Sequence, residues 1–282
     1  MALIDQDTLS REVDSARTRG IDKDARKVIQ WAYELLGDGL MMTTSFQKSG
    51  MIVLHMVRDI APQLPVYFLD TGFHFKESLE FAERIRREWK VNVTIKKPKL
   101  FGEAFNAEHG KLYETNPDLC CHLNKVEPQR ELLEKYQGWI AGVRRDQSAT
   151  RSGAEGIEVL EGAKLKVQPL ANWPRSQVEA YLKENSVPVH PLFSQGFPSI
   201  GCQPCTQPCH DPSNERAGRW MGKGKTECGL HTFWKKAESE PGGKKDAPST
   251  SAEPAKKAPS KRKAVSKKRP GSSSGKKKNA QG

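Results

Sequence analysis

Short apolar segments alternate with longer segments of helical periodicity in the first half of the chain. Four of the short segments, each bounded by Gly, Pro or polar residues, have the composition of strands: 40–44, 66–69, 91–95 and 139–143. Residues 25–36 and 75–89 place their apolar side chains on one helical face, which predicts amphipathic helices. Gly37 and Gly39 follow the first of these helices, as glycines often do at a helix C-terminus.

This alternation predicts an α/β fold. We expect a mostly parallel sheet flanked by helices on both faces, Rossmann-like in architecture. In such a sheet the ligand crevice lies at the carboxyl ends of the strands. The loops that follow the strands are therefore the first candidates for a binding site.

Small, polar or cationic residues follow three of the predicted strands. They are Ser45, Phe46 and Gln47 after the first strand, Asp70, Thr71 and Gly72 after the second, and Arg144 and Arg145 after the fourth. A polar loop before a helix can present backbone N–H groups to a phosphate, and a guanidinium matches phosphate oxygens. Each loop alone is also compatible with an ordinary turn, but three at consecutive strand ends predict a shared anion site.

The net charge of +12 is unevenly distributed along the chain. Residues 241–282 hold thirteen Lys or Arg and two acidic residues, whereas residues 1–240 hold 33 basic and 32 acidic residues. We therefore divide the chain into a nearly neutral folded domain, 1–240, and a Lys-, Pro-, Ser- and Ala-rich tail, 241–282, predicted to be disordered. The tail suits weak, salt-sensitive contact with nucleic acid or another polyanion, or a solvated extension without a partner.

No apolar run approaches the roughly 18 residues of a membrane-spanning helix. Charged residues occur within the first five positions, unlike a signal peptide. The sequence thus predicts a cytoplasmic protein without membrane association. Thiols stay reduced in that compartment, so a cysteine pattern there indicates metal binding or catalysis.

The six cysteines form two tight pairs and two single positions. Cys120 and Cys121 are adjacent, and Cys202 and Cys205 form a Cys-x-x-Cys pair. Four thiolates suit zinc or an iron–sulfur cluster, and a directly adjacent pair is atypical of zinc, which favours the cluster. The alternative for the first pair is two buried structural cysteines. Cys228, followed by glycine, is a candidate reactive thiol, and Cys209 has no assigned role.

Cationic residues accompany the cysteines. Lys125 lies four positions after Cys121 and would share its helical face. Arg216 and Arg219, three positions apart, would share a face if this stretch were helical. Cations between the cysteine pair and the single thiol suit an oxyanion-binding site, and the alternative is a solvated basic surface.

These motifs together resemble the assimilatory sulfonucleotide reductases, in the branch that reduces adenosine 5′-phosphosulfate. The resemblance rests on both cysteine pairs, on Glu227-Cys228-Gly229-Leu230-His231, and on shorter matches at residues 45–48, 69–72, 125–128, 144–148, 199–206 and 216–220. It runs in order from about Thr43 to His231.

The resemblance implies a fold similar to adenine-nucleotide α-hydrolases and an oxidoreductase role in sulfate assimilation and cysteine biosynthesis. It implies a 4Fe–4S cluster on Cys120, Cys121, Cys202 and Cys205, and a catalytic segment at about 222–231 with Cys228 and His231. A thioredoxin or glutaredoxin-like dithiol would be the reductant, and the family suggests a homo-oligomer. The substrate-binding residues expected are Ser45, Phe46, Gln47, Asp70, Thr71, Gly72, Lys125, Arg144, Arg145, Arg216 and Arg219.

Three other functions are compatible with parts of the pattern. The first is reduction of the 3′-phosphorylated nucleotide, although the reductases for that substrate mostly lack the cysteine pairs. The others are an ATP-dependent thiolation enzyme of the same superfamily and a zinc-stabilised nucleic-acid binder. The chain also departs from the family at Asn124, where Arg is common, at Cys209, where Val is common, and in the residues that follow His231.

Overall fold

The computed structural model describes residues 3–211 and 214–234. Six strands are present in this part of the chain: β1 (Leu40–Thr43), β2 (Val66–Leu69), β3 (Val93–Lys96), β4 (Gly138–Ile140), β5 (Ile157–Leu160) and β6 (Lys164–Val167). Its α-helices are α1 (Gln6–Thr18), α2 (Ala25–Leu36), α3 (Lys48–Ile60), α4 (Lys76–Trp89), α5 (Glu103–His109), α6 (Leu112–Thr115), α7 (Pro117–Cys121), α8 (Glu127–Leu133) and α9 (Arg175–Glu184). Short 3₁₀ turns connect several of them.

The strands form one sheet in the order β3-β2-β1-β4-β6-β5. Neighbouring strands are parallel except for β5, which pairs antiparallel with β6. The predicted mostly parallel sheet flanked by helices is thus confirmed. Strand β2 has its predicted bounds, and the other three predicted strands differ from theirs by one to three residues at one or both ends. The β5–β6 hairpin was not predicted, because its strands carry the charged residues Glu158 and Lys166, which are buried as a pair 3.4 Å apart.

Side chains alternate between two faces of the sheet, as the pleat requires. Met42 on β1 and Ile140 on β4 belong to a core shared with α2 and α3, whereas their neighbours Met41 and Trp139 pack with α8. Strands buried on both faces have continuous apolar sequences instead of an alternating pattern. This is why the central strands could be recognised as short apolar runs.

Helix α2, at residues 25–36, has a characteristic residue at each end. The carboxylate of Asp24 accepts hydrogen bonds from the backbone N–H groups of Arg26 and Lys27, as an N-cap does. Gly37 ends the helix with φ +48°, a backbone conformation that glycine adopts without steric cost. The predicted helix and its predicted glycine terminus are therefore both confirmed.

The segment that carries the first cysteine pair is helical but irregular. Helix α7 ends at Cys121, and residues His122–Val126 form a π-helical turn before α8 begins. The helical face predicted to carry both Cys121 and Lys125 is thus interrupted by a wider turn between them. A π turn inserts an extra residue and is frequent at functional sites, and here it separates the cysteines from α8.

Two of our sequence predictions concern residues outside the described ranges. The boundary at 240/241 and the predicted disorder of 241–282 lie there and stay predictions. Among the described residues, no helix combines the length and apolar character needed to cross a bilayer.

The close approach of α3 to β4 gives a test of the packing. A methyl group added at Gly142, just beyond β4, would lie 3.0 Å from the backbone nitrogen of Gly50 and 3.1 Å from the carbonyl carbon of Ser49. Backbone at a helix start cannot move independently, so Gly142→Ala should destabilise the protein by about 1–3 kcal/mol. Urea unfolding would measure this. Gly153→Ala, where an added methyl meets no atom within 4 Å, should change stability by less than about 1 kcal/mol, and equal effects would contradict the packing argument.

Candidate active site

A cleft opens at the carboxyl ends of β1, β2 and β4. The space between its walls, including the part open to solvent, is about 1040 Å³. Seven of the predicted site residues line it: Ser45, Gln47, Lys125, Arg216, Arg219, Cys228 and His231. Lys48 and Arg151 line it as well, so the cleft combines one cysteine thiol with five cationic side chains at the edge of the sheet where ligands are expected.

Six predicted site residues lie outside the lining of this cleft: Phe46, Asp70, Thr71, Gly72, Arg144 and Arg145. Phe46 is buried against Phe68, with ring centroids 5.5 Å apart. The Nε of Arg145 donates to the carbonyl of Ala154 at 2.5 Å. Substrate contact by these residues stays a prediction.

The loop after β2 is a tight turn beside the second cysteine pair. The Asp70 carboxylate accepts a hydrogen bond from the backbone N–H of Gly72 at 3.0 Å. Gly72 has φ +77°, and a methyl group there would lie 2.7 Å from the backbone nitrogen of Gly102. Between them, Thr71 places its hydroxyl oxygen 3.2 Å from the sulfur of Cys202. In this loop Asp70 and Gly72 shape the backbone, and Thr71 connects it to Cys202.

Arg144 is almost completely buried and joins three segments of the chain. Its Nε donates to Asp146 at 2.9 Å, its Nη1 to the hydroxyl of Ser49 at 2.6 Å and its Nη2 to Glu215 at 2.7 Å. Ser49 lies in the first turn of α3, and Glu215 precedes Arg216 and Arg219. Two carboxylates thus balance the buried charge, as a buried guanidinium requires.

The four paired cysteines come together around one small cavity. Cys120 and Cys121 form the last turn of α7, and Cys202 and Cys205 flank a 3₁₀ turn. All four line the cavity. The folding of α7 thus brings residues about 80 positions apart in sequence to the same place.

The donor chemistry of this cavity fits an iron–sulfur cluster. Burial and the neighbouring cysteines raise the pKa of Cys120 to about 12, and burial raises the pKa of Cys121 to about 11. Thiols in such surroundings become thiolates when a metal compensates their charge. The indole N–H of Trp220, which also lines the cavity, is buried without a described acceptor, and a cluster sulfur could accept it. Within residues 3–211 and 214–234, no three His, Cys, Asp or Glu side chains form a group suited to one metal ion.

Lys125 lines both the cysteine cavity and the cleft. Burial lowers the pKa of its ammonium group, but the negative charge on Cys202, Cys121 and Cys228 outweighs burial and raises the pKa overall. The side chain is therefore a fixed cation between the two spaces. Its position follows from the π turn, in which it is the fourth residue.

Cys228 lies just before the turn that begins at Gly229. The residue is partly exposed and lines the cleft. Burial raises the pKa of this thiol, but the charges of Lys125 and Arg216 and the backbone N–H of Leu230 lower it by more. The pKa of Cys228 therefore falls below its ordinary value. Gly229 follows with φ +82°, which favours glycine at this turn. The site thus presents a thiol with enhanced thiolate character.

The preceding residue, Glu227, holds this turn in place. Its carboxylate accepts two hydrogen bonds from Arg151, at 2.7 and 2.9 Å, and one from Arg216 at 3.2 Å. Arg151 was not among the predicted site residues, although it lines the cleft. Glu227, the partner of Arg151, lies 76 positions away in sequence, and no local sequence pattern connects the two residues.

His231 stacks on Trp139, with ring centroids 5.3 Å apart and planes 5° from parallel. Burial and the charges of Arg151, Lys166 and Arg216 hold the pKa of His231 well below its ordinary value, so the imidazole is neutral at pH 7. Its Nδ1 has no hydrogen-bond partner among the described atoms. The ring therefore offers a neutral nitrogen in the cleft.

Arg216 and Arg219 lie in a series of turns and not in a helix. Helical spacing is therefore not what brings both side chains to the cleft. The Trp220 ring packs between them, with guanidinium carbons 5.5 and 4.4 Å from its centroid. Burial, together with Arg151 and Arg219, lowers the pKa of Arg216 to about 9. Its Nε has no partner among the described atoms, which leaves a donor for an anionic ligand.

Comparison with known proteins agrees with this arrangement. Residues 39–208 match the phosphoadenosine phosphosulfate reductase domain family. The adenosine 5′-phosphosulfate reductase of Oceanobacillus iheyensis is 42% identical over 211 residues, which cover 74% of this chain and 88% of that protein. The adenosine 5′-phosphosulfate reductase 1 of Bacillus subtilis is 41% identical over 212 residues, 74% of this chain and 91% of that protein.

Among solved structures, the phosphoadenylyl-sulfate reductase of Candida auris in complex with phosphate is similar, with a TM-score of 0.61 and 30% identity. The match covers 72% of this chain and 97% of that one. The family match spans β1–β6, both cysteine pairs and the loops after the strands. The chain therefore belongs to the phosphoadenosine phosphosulfate reductase family.

Proposed function

We propose that this protein reduces adenosine 5′-phosphosulfate to sulfite and AMP through a thiosulfonate on Cys228. The observation that carries the proposal is the position of the Cys228 thiol in one cleft with Lys125, Arg216 and Arg219. A nucleophilic thiol surrounded by cations suits attack on a phosphosulfate anhydride, whose leaving group is an anion. The substrate named for the relatives from Oceanobacillus iheyensis and Bacillus subtilis supports the same reaction.

In the first step the Cys228 thiolate attacks the sulfur of the phosphosulfate. A sulfur–sulfur bond forms, the bond from that sulfur to the bridging oxygen breaks, and AMP leaves with the electron pair. Arg216 and Arg219 would bind the phosphosulfate, and Lys125 would offset the charge that develops on it. The neutral His231 would accept or donate a hydrogen bond through Nδ1 without adding charge.

In the second step a dithiol releases sulfite. One thiolate of thioredoxin or a glutaredoxin-like protein attacks the Cys228 sulfur, and sulfite leaves with the electron pair of the broken sulfur–sulfur bond. The second thiol of the reductant then resolves the mixed disulfide and restores the Cys228 thiolate. The reductant ends as a disulfide, so the two electrons that convert sulfate sulfur to sulfite come from it.

Cys120, Cys121, Cys202 and Cys205 would hold a 4Fe–4S cluster in the adjoining cavity. The cluster would supply an electrostatic field and a rigid link between the two cysteine pairs, without a change of oxidation state. Lys125 lines both spaces and would fix its ammonium group between thiolate and substrate charges. We place the enzyme in the reducing cytoplasm, where its thiols would remain available. Homo-oligomer formation and polyanion contact by the tail stay predictions.

The similarity to the Candida auris protein supports a second substrate, the 3′-phosphorylated nucleotide. The reacting phosphosulfate group is common to both nucleotides. The same cations could therefore bind either one, and the same thiol could attack it. The higher identity to the adenosine 5′-phosphosulfate reductases and the two cysteine pairs favour the substrate without the 3′-phosphate.

The nucleophile can be identified by intact mass. Adenosine 5′-phosphosulfate added without reductant should place a sulfonate on Cys228, and the adduct should disappear with thioredoxin. Cys228→Ser should form no adduct, because the serine hydroxyl is a far weaker nucleophile, and should still bind the nucleotide. Cys209→Ser is the matched control, since Cys209 is also partly exposed. An adduct on Cys228→Ser would refute the assignment, and an adduct with the 3′-phosphorylated nucleotide alone would change the substrate.

Metal content tests the cysteine cavity. Anaerobically purified protein should contain iron and acid-labile sulfide in equal amounts, about four of each for a 4Fe–4S cluster. Cys202→Ser and Cys120→Ser should each lose most of both, because one hard hydroxyl replaces a soft thiolate. Cys209→Ser should retain them. Stoichiometric zinc in place of iron would contradict the cluster.

The pH dependence of the Glu227 contacts can be measured by hydrogen exchange. Burial raises the pKa of Glu227, but Arg151 and Arg216 outweigh it and lower the pKa below its ordinary value. The stabilisation is therefore complete above the unfolded value of about 4.3 and is lost as pH falls through the lower folded value. At pH 7, Glu227→Gln should speed exchange in residues 225–231 by about tenfold or more, since a buried charge pair is broken.

The ratio of variant to wild-type exchange should be constant between pH 5 and 8 and should fall toward one as the pH drops below the ordinary carboxyl value of about 4.3. Glu83→Gln is the control, because Glu83 pairs with Arg86 on the exposed face of α4 and should leave residues 225–231 unchanged. A ratio of one at pH 7 would show that Glu227 does not hold the Cys228 turn.

A further inference from the structure

The residues that follow His231 pack back onto the sheet. Trp234 donates a hydrogen bond from its indole Nε1 to the carbonyl of Glu161 at 2.6 Å. Glu161 lies in the turn between β5 and β6. The β5–β6 hairpin is therefore in direct contact with the chain six residues beyond Cys228.

Phe233 adds an apolar contact beside this hydrogen bond. Its ring meets the Trp234 ring edge to face, with centroids 5.5 Å apart, and the guanidinium of Arg130 lies 5.4 Å from its centroid. Phe233, Trp234 and Leu230 all pack against the apolar cluster on the α8 face of the sheet. Aromatic side chains supply large contact areas with few rotatable bonds, so this pair is suited to docking a short segment.

The same hairpin holds the segment at a second point. Lys166 on β6 donates to the backbone carbonyl of His231 at 3.3 Å, and its charge is balanced by Glu158 on β5. The imidazole of His231 stacks on Trp139. Contacts at positions 231 and 234 thus fix the chain three and six residues after Cys228.

We propose that Phe233 and Trp234 form a latch, Phe233 on α8 and Trp234 on the β5–β6 hairpin, that holds the Cys228 thiol in the cleft. Trp234 is a positioning residue: it touches no reacting atom and acts through the backbone of residues 229–233. With the latch docked, Cys228 lies in the cleft with Lys125 and Arg216 and is only partly exposed. The effect of the latch on the reaction rests on the proposed function.

The latch and Glu227 hold the two ends of the segment. The Trp234 hydrogen bond, the Arg130 contact and the packing of two partly exposed aromatic rings hold one end, whereas Glu227 and its arginines hold the other. Cys228 lies between the two ends.

The test compares Trp234→Ala and Trp234→Phe with wild type, and it needs no substrate in its first part. The rate of alkylation of Cys228 by iodoacetamide is followed by peptide mass at pH 7. Trp234→Ala should raise this rate about tenfold, and Trp234→Phe should give an intermediate rate, because it keeps the ring and loses the N–H donor. Trp89→Ala, at the C-terminal residue of α4, is the control and should match wild type.

The second part measures single-turnover formation of the Cys228 adduct with adenosine 5′-phosphosulfate, and then its release by thioredoxin. Trp234→Ala should slow adduct formation several-fold with nucleotide affinity unchanged, and should not slow release. A melting temperature near that of wild type distinguishes a local effect from unfolding, and Trp234→Phe serves if the alanine variant does not fold.

Equal alkylation rates in wild type and both Trp234 variants would overturn the latch. If wild-type protein forms no adduct with either nucleotide, the proposed function fails, whereas the alkylation comparison still decides whether the latch positions Cys228. If alkylation rises and adduct formation is unaffected, Trp234 controls access only and the positioning role is refuted.

Discussion

The buried guanidinium of Arg144 is the interaction on which the site depends. It connects the end of β4, the first turn of α3 and Glu215 in the turns that precede Arg216. A buried cation must be matched by anions, so Asp146 and Glu215 are fixed as firmly as Arg144 itself. The sheet edge and the loop that carries the ligand-facing arginines are thereby held in one geometry, and the cleft between them has a defined shape.

Charge is arranged in two layers around the cleft. In the outer layer three cations each have a protein anion: Arg144 has Glu215, Arg151 has Glu227 and Lys166 has Glu158. In the inner layer Lys125 faces thiolates, and Arg216 keeps an unpaired Nε donor. Unpaired donors in a low-dielectric cleft bind an anion more strongly than donors in water. Arg216 is paired with Glu227 through Nη2, so within the described residues the protein leaves only its Nε donor free at the place where the reacting anion would lie.

Much of the fold followed from local sequence, and the site followed only in part. Central strands buried on both faces are continuous apolar runs, so β1 and β2 could be located, whereas β5 and β6 carry Glu158 and Lys166 and could not. The cysteine pairs and Cys228 are chemically distinctive wherever they stand. Arg151, in contrast, gains its role from a carboxylate 76 positions away. The structural role of Arg144 likewise could not be predicted, because its sequence motif suggests only phosphate binding.

The π turn at His122–Val126 constrains the number of residues between Cys121 and α8 more strictly than it constrains their side chains. Its closing hydrogen bond runs from the N–H of Glu127 to the carbonyl of His122, one residue wider than an α-helical turn. Each residue advances a helix by about 100°, so loss of one residue here would rotate Lys125 relative to the cysteine pair before it. This segment can therefore change its side chains but not its length, and an insertion or deletion between Cys121 and Glu127 would separate the metal cavity from the cleft.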